Sequence, residues 1–90
     1  MKKLQITKDA EKFWSELDAK QYKQVGKTIM GLLENSRPHD SQTLKGAKNG
    51  ERRVDCGEYR IIYAASETDV EILVVGKRNG DEVYRIWGQK

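Results

Sequence analysis

The sequence predicts an α+β fold: an N-terminal helical hairpin packed on one face of a small, mainly antiparallel β-sheet. Two observations predict it. The first third of the chain carries apolar side chains at helical spacing, in two blocks with a short break between them. The second half changes to short runs rich in Ile, Val and Tyr, separated by tight polar turns. The helical pair must cover one face of that sheet to bury its own apolar stripe.

Taken in order, Lys3–Thr7 places Leu4 and Ile6 two apart, a short strand pattern, and Thr7 is suited to cap the helix behind it. Ala10, Phe13, Trp14 and Leu17 then recur at i, i+3, i+4 and i+7, one apolar helix face. Asp18-Ala19-Lys20 reads as a short break. Tyr22, Val25, Ile29, Leu32 and Leu33 repeat the spacing to about Asn35, and Pro38 confirms the stop. Phe13 and Trp14 could stack on bases, but their spacing with Ala10 and Leu17 assigns them to the core. The lysines of the hairpin, Lys8, Lys12, Lys20, Lys23 and Lys27, alternate with Asp9, Glu11, Glu16 and Asp18 and read as a solvated face.

Ser36–Lys48 is polar and lacks periodicity, so it reads as a loop, with His39 exposed to solvent in it. After a turn at Asn49-Gly50, Arg52–Asp55 alternates, with Arg53 and Asp55 on one face and Arg52 and Val54 on the other. Cys56-Gly57-Glu58 turns the chain into Tyr59–Ala64, and Ser66–Asp69 turns it into Val70–Val75, giving an antiparallel meander. The face away from the helices is expected to be concave and wet. A short helix or coil from about Asp81 is expected to dock Val83, Ile86 and Trp87.

Ninety residues suit a single domain, 1–90, with an open site for a polymer better than a deep pocket for a small molecule. Lys and Arg number 17 against 14 for Asp and Glu, a net charge of +3, so the placement of the cations matters more than their sum. The single cysteine, Cys56, has no internal disulfide partner, and its position at a turn leaves a reactive thiol open. No Cys/His set has zinc spacing, and no cofactor is expected. The basic start is followed by no apolar run of signal-peptide length, and no segment reaches membrane-spanning length. A cytoplasmic protein without a membrane partner is expected.

The cations cluster where strands begin and end. Arg60 points opposite to Tyr59 and Ile61, so if those two face the helices Arg60 faces the open side. Arg53 lies on the neighbouring strand, and Lys77 and Arg78 emerge where the third strand ends. A convergence of Arg53, Arg60 and Arg78 would form a phosphate-sized site, because a guanidinium holds phosphate oxygens in two places at once. The competing reading is that these arginines pair with Asp55, Glu58, Glu71 or Glu82 in surface ion pairs of little energetic weight.

The run G-E-Y-R-I-I-Y, followed by V-G-K-R and E-V-Y, with Leu44-Lys45-Gly46 upstream, resembles the RelE/ParE toxin superfamily over nearly the whole chain. The resemblance implies a RelE-like fold and the toxin of a type II toxin–antitoxin system, most simply a ribosome-dependent mRNA endonuclease that cuts in the ribosomal A site. It implies catalytic roles for Arg60 in phosphate stabilisation, Arg78 in transition-state charge and leaving-group protonation, and Tyr84 in orienting or stacking on the nucleotide. Arg53 falls where a family member has a lysine proposed as general base, and Glu51 where it has a second lysine. Lys45, Lys48, Arg52 and Lys77 would contact RNA. The partners implied are a cognate antitoxin, the small ribosomal subunit and mRNA, with no sequence-specific DNA binding by the toxin alone.

The two departures leave the base open. Arginine keeps the charge but is a poor proton shuttle, with a pKa of roughly 12.5 or more. Tyr84 or Lys77 could serve instead. A set that mainly positions and stabilises charge would act slowly on free RNA, which fits dependence on a ribosome that presents the strand. Two other readings stay open: a ParE-like inhibitor of DNA gyrase, and a degenerate module that only binds antitoxin or ribosome.

Overall fold

The computed structural model describes residues 2–79 and 82–88. Its elements run β1 (Lys3–Ile6), α1 (Lys8–Ser15), α2 (Ala19–Glu34), β2 (Gln42–Thr43), β3 (Arg52–Cys56), β4 (Tyr59–Ala65), β5 (Asp69–Lys77) and α3 (Glu82–Gly88). One five-stranded sheet has the order β1-β5-β4-β3-β2. The expected meander is β3-β4-β5, all antiparallel, and β1 adds to it in parallel beside β5.

Both helices of the hairpin start on side-chain caps. The Thr7 hydroxyl accepts from the Ala10 amide and donates to the Leu73 carbonyl at 2.8 Å, so one side chain starts α1 and ties it to β5. Asp18 caps α2 by accepting from the Gln21 amide at 2.9 Å. The break predicted at Asp18–Lys20 is therefore only a cap: Ala19 and Lys20 already belong to α2, and α1 ends at Ser15 rather than Leu17. Capping satisfies orphan amides and is worth about 1 kcal/mol per helix.

The stripe read from the sequence packs as expected except at Tyr22, which lies outside the core and is 43% exposed. Ala10, Val25, Ile29, Leu32 and Leu33 meet Val54, Ile61, Tyr63, Val70, Ile72 and Val75 in one buried cluster. Phe13, Trp14 and Leu17 are half-buried at its margin rather than enclosed. Phe13 packs edge-on against Tyr59, and Trp14 stacks on Tyr22 while its indole N–H donates to the Tyr22 carbonyl. Cys56 belongs to this core too. It ends β3, is 5% exposed and accepts a hydrogen bond from Thr28 at 3.0 Å, so the reactive thiol that its turn position left open is enclosed in the core.

The opposite face departs from expectation. It is not simply open, because Leu44, Ile62, Val74 and Val83 form a second buried cluster, with Leu73, Tyr84 and Trp87 against it. A bulge makes this possible. Ile62 pairs with Val74 but Tyr63 pairs with Ile72, so Leu73 is an extra residue on β5, and Leu73 and Val74 both serve the second face. The α3 helix, placed within the span read as helix or coil, seats Val83 and Trp87 there. The side chain of Ile86 lies outside the described set.

The segment read as loop contains β2, a two-residue edge strand paired to Arg53 and Arg52. Arg52 explains its position. Its guanidinium donates to Ser41 Oγ, to the Ser41 carbonyl and to Thr43 Oγ1 at 2.8–3.3 Å, clamping the loop onto the sheet. Among the described residues no helix is long and apolar enough to cross a membrane.

Candidate functional site

Strand alternation puts Arg53 and Asp55 of β3 on the α3 face, and Arg60 of β4 lies directly opposite Asp55 in register. The pair closes side-on. Arg60 Nε donates to Asp55 Oδ1 at 2.6 Å and Nη2 to Oδ2 at 3.3 Å. Arg60 Nη1 donates to the Tyr84 phenolic oxygen at 2.8 Å, and the guanidinium carbon lies 5.6 Å from the centre of the Tyr84 ring. Arg53 Nη1 is 3.9 Å from Asp55 Oδ1, and its other nitrogen donates to Gln42 Oε1 at 2.7 Å. Two arginines thus meet at one carboxylate, and the tyrosine meets one of them.

Electrostatics follow from this geometry. The hydrogen bond from Arg60 holds the Asp55 carboxyl below its ordinary value of 3.8, against a smaller desolvation cost, with further lowering from the charges of Arg60, Arg53 and Arg78. Arg60 is raised in turn, chiefly by Asp55 and also by Tyr84. Arg78 is exposed just beyond β5 and is tied to the β3–β4 turn by its amide, which donates to the Glu58 carbonyl at 2.8 Å. Arg60 and Arg53 therefore stand at the same carboxylate, and Arg78 adds to it a weaker charge from the strand end.

A cleft of about 310 Å³ opens beside this cluster, with Gln42, Thr43, Lys45, Arg53, Tyr84 and Trp87 in its wall. Lys48 lines an adjoining cleft with Asn49, Glu51, Glu71 and Trp87. Glu51 lies in that neighbour rather than against the arginines. It is 5% exposed, and its carboxylate accepts from the Asn49 amide at 2.9 Å, which fastens the turn. A larger depression of about 790 Å³ lies at the start of β5, the far end of that strand from Arg78. It opposes Lys2 and Lys3 to Glu34 and Glu67 and gathers no converging set.

Two predicted RNA contacts are placed elsewhere. Arg52 lies on the opposite face of β3, engaged with Ser41 and Thr43. Lys77 pairs in register with Tyr59, whose ring packs on the helix-side core, and so is on the helix side of β5. Residue alternation along a strand forces both outcomes once Arg53 and Arg60 take the α3 face. The exposed His39 precedes β2 in the clamped loop.

Gly76 is the functional residue that sequence reasoning passed over. It lies opposite Arg60 on β5, and a Cβ built on it would fall 2.5 Å from Val83 Cγ1. The missing side chain lets α3 lie on the sheet and carry Tyr84 over Arg60. The signal was present as a glycine inside a strand run, which often marks a close approach.

Residues 4–82 match the family model described as the ParE toxin of type II toxin–antitoxin systems, parDE. The chain belongs to this toxin family. No curated protein matches it in sequence. Solved structures similar to this family member include the isolated RelE toxin of E. coli, with a TM-score of 0.75 at 24% identity over 99% of this chain and 97% of that one. A chain of the archaeal RelE–RelB complex from Pyrococcus horikoshii OT3 matches with a TM-score of 0.76 at 23% identity, over 87% of this chain and 96% of the other. The RelBE2 complex of Mycobacterium tuberculosis contains a chain matching at 0.72 and 21%, over 86% and 98%. At these identities the likeness shows the fold, and it agrees with the helical hairpin on a sheet read from the sequence.

Two outcomes follow for this toxin-family site. Gly76→Ala should force α3 off the sheet or strain it, lowering stability by about 1–3 kcal/mol in urea unfolding, and should speed proteolysis after residue 79. Unchanged stability and protection would show that α3 is not seated through Gly76. The second concerns acid. Because the folded Asp55 pKa is depressed, its stabilisation is present above its ordinary value and is lost as pH falls through the lower folded one. The urea midpoint gap between wild type and Asp55→Asn should therefore hold between about pH 7 and pH 5 and shrink below about pH 4. A gap that persists at acid pH would contradict the ion pair.

Proposed function

We propose that this toxin is a ribosome-dependent mRNA endonuclease that stops translation by cutting mRNA in the ribosomal A site, with a cognate antitoxin as its partner. The observation that carries the reading is the Arg60–Tyr84 hydrogen bond beside Arg53, at the mouth of an open cleft. Cleavage by the neighbouring 2′-hydroxyl needs that hydroxyl deprotonated, charge on the pentavalent phosphorane stabilised and the leaving 5′-oxygen protonated. Arg53, Arg60 and Arg78 supply fixed positive charge for the second requirement. Arg60 donates to the Tyr84 oxygen, which leaves the phenol its own proton to give. Tyr84 is thus the proton-carrying group of the set, and its ring is a stacking face for a base. Lys45 and Lys48 extend the basic rim along the strand path.

Weak proton transfer is compatible with rapid cleavage if the substrate arrives already oriented, and the ribosome supplies that orientation. The antitoxin partner is supported by the complexes in which relatives are found, RelE with RelB and the RelBE2 pair.

One observation favours a second reading. The matching family model carries the parDE description, and a ParE-like action would fall on DNA gyrase instead. Arg60→Ala and Arg78→Ala should each raise the protein concentration that half-inhibits bacterial cell-free translation by roughly 10²-fold or more, as loss of one transition-state donor does, while thermal melts stay those of folded chains. Purified gyrase should supercoil DNA normally in the presence of the wild-type chain. Blocked supercoiling with translation intact would replace the endonuclease by the gyrase reading.

A further inference from the structure

The Asp55 carboxylate is where the proposed substrate phosphate should be. It takes the Nε/Nη2 edge of Arg60 with both oxygens, the two-point mode in which a guanidinium holds a phosphate. It also stands 3.9 Å from Arg53 Nη1 and feels the charge of Arg78. The cations assigned to the phosphate are therefore already sharing an anion of the chain's own.

We propose that Asp55 is a specificity-determining residue: an internal phosphate mimic that keeps the arginine site occupied against free RNA and yields only to a phosphate presented in register. This rests on the reading of Arg53, Arg60 and Arg78 as phosphate ligands. The mimic is displaceable. Asp55 has a side chain 37% exposed at the cleft side of β3, whereas Arg60, at 15%, is held from two directions by Asp55 and Tyr84. Rotation of the aspartate into water frees the Arg60 edge without moving the arginine, because Tyr84 still holds Nη1.

The consequence is selectivity by charge. Free single-stranded RNA binds mainly through the number of phosphates neutralised. One carboxylate among three guanidiniums removes a unit charge from that count and adds a local competitor at effective concentrations free RNA does not match. RNA held by another body in the right geometry has already lost its orientational freedom, so it displaces the aspartate at concentrations at which free RNA does not, and free RNA does so only near saturation.

The test is fluorescence anisotropy with a labelled single-stranded 2′-O-methyl RNA, which cannot be cut, at stepped salt and without ribosomes. Wild type, Asp55→Asn, Asp55→Ser, Asp55→Glu and Arg60→Ala are compared after thermal melts. The neutral variants should bind roughly tenfold tighter with a steeper salt slope, steeper by about 0.7 for the extra phosphate neutralised. Asp55→Glu, which keeps the charge, should stay near wild type. Equal or weaker binding by the neutral variants, with Arg60→Ala weaker than wild type, overturns the mimic and leaves the phosphate site standing. Arg60→Ala binding as well as wild type overturns both. Should the neutral variants fail to fold, wild type still decides. The Asp55 carboxyl carbon resonance should move when saturating RNA binds, and an unmoved resonance overturns the proposal.

Discussion

A guanidinium that is mostly removed from water must be met by an anion or by aligned acceptors, and Arg60 is met by both. That requirement organises the α3 face. It fixes Asp55 across the strand pair, draws Arg53 toward the same carboxylate and gives the Tyr84 hydroxyl a partner. The two-point ion pair and the Tyr84 oxygen together hold the Arg60 guanidinium in one orientation on a rigid strand and so prepare the site before any ligand arrives.

The rest of the molecule can be understood as what holds that guanidinium in place. The helical hairpin closes the larger of the two buried clusters and fixes the sheet from behind. The Leu73 bulge turns two successive residues toward α3, and Gly76 leaves room for Val83. Together they let a helix of only seven residues, too short to be stable alone, seat on the sheet and present Tyr84. The Arg52 clamp does the same for the loop that carries Lys45 and Lys48, so the rim of the cleft is built by an arginine that does not line it.

Much of the fold was legible because periodicity reports burial. The hairpin, the meander and the Thr7 cap were read from spacing, and the alternation of Arg53 with Arg52 placed each on its face. What was missed has local causes. β2 is two residues long and exists through the Arg52 clamp, which no spacing encodes. The second core arises from a bulge, and a bulge breaks the period on which strand reading depends. For the site, Arg53, Arg60, Arg78 and Tyr84 were named from strand ends and family motifs. Asp55 was named as a rival pairing for the arginines, and in the structure Arg53 and Arg60 meet on it. Lys77 was named from its place at a strand end, which carries no face, and the pairing with Tyr59 puts it on the helix side.

The endonuclease account is tested most directly by adding the wild-type chain to a bacterial cell-free translation system and mapping transcript ends by primer extension. The account predicts new ends at in-frame positions within translated sequence, absent when ribosomes are left out. Intact transcripts in the presence of ribosomes, or the same cuts without them, would contradict it.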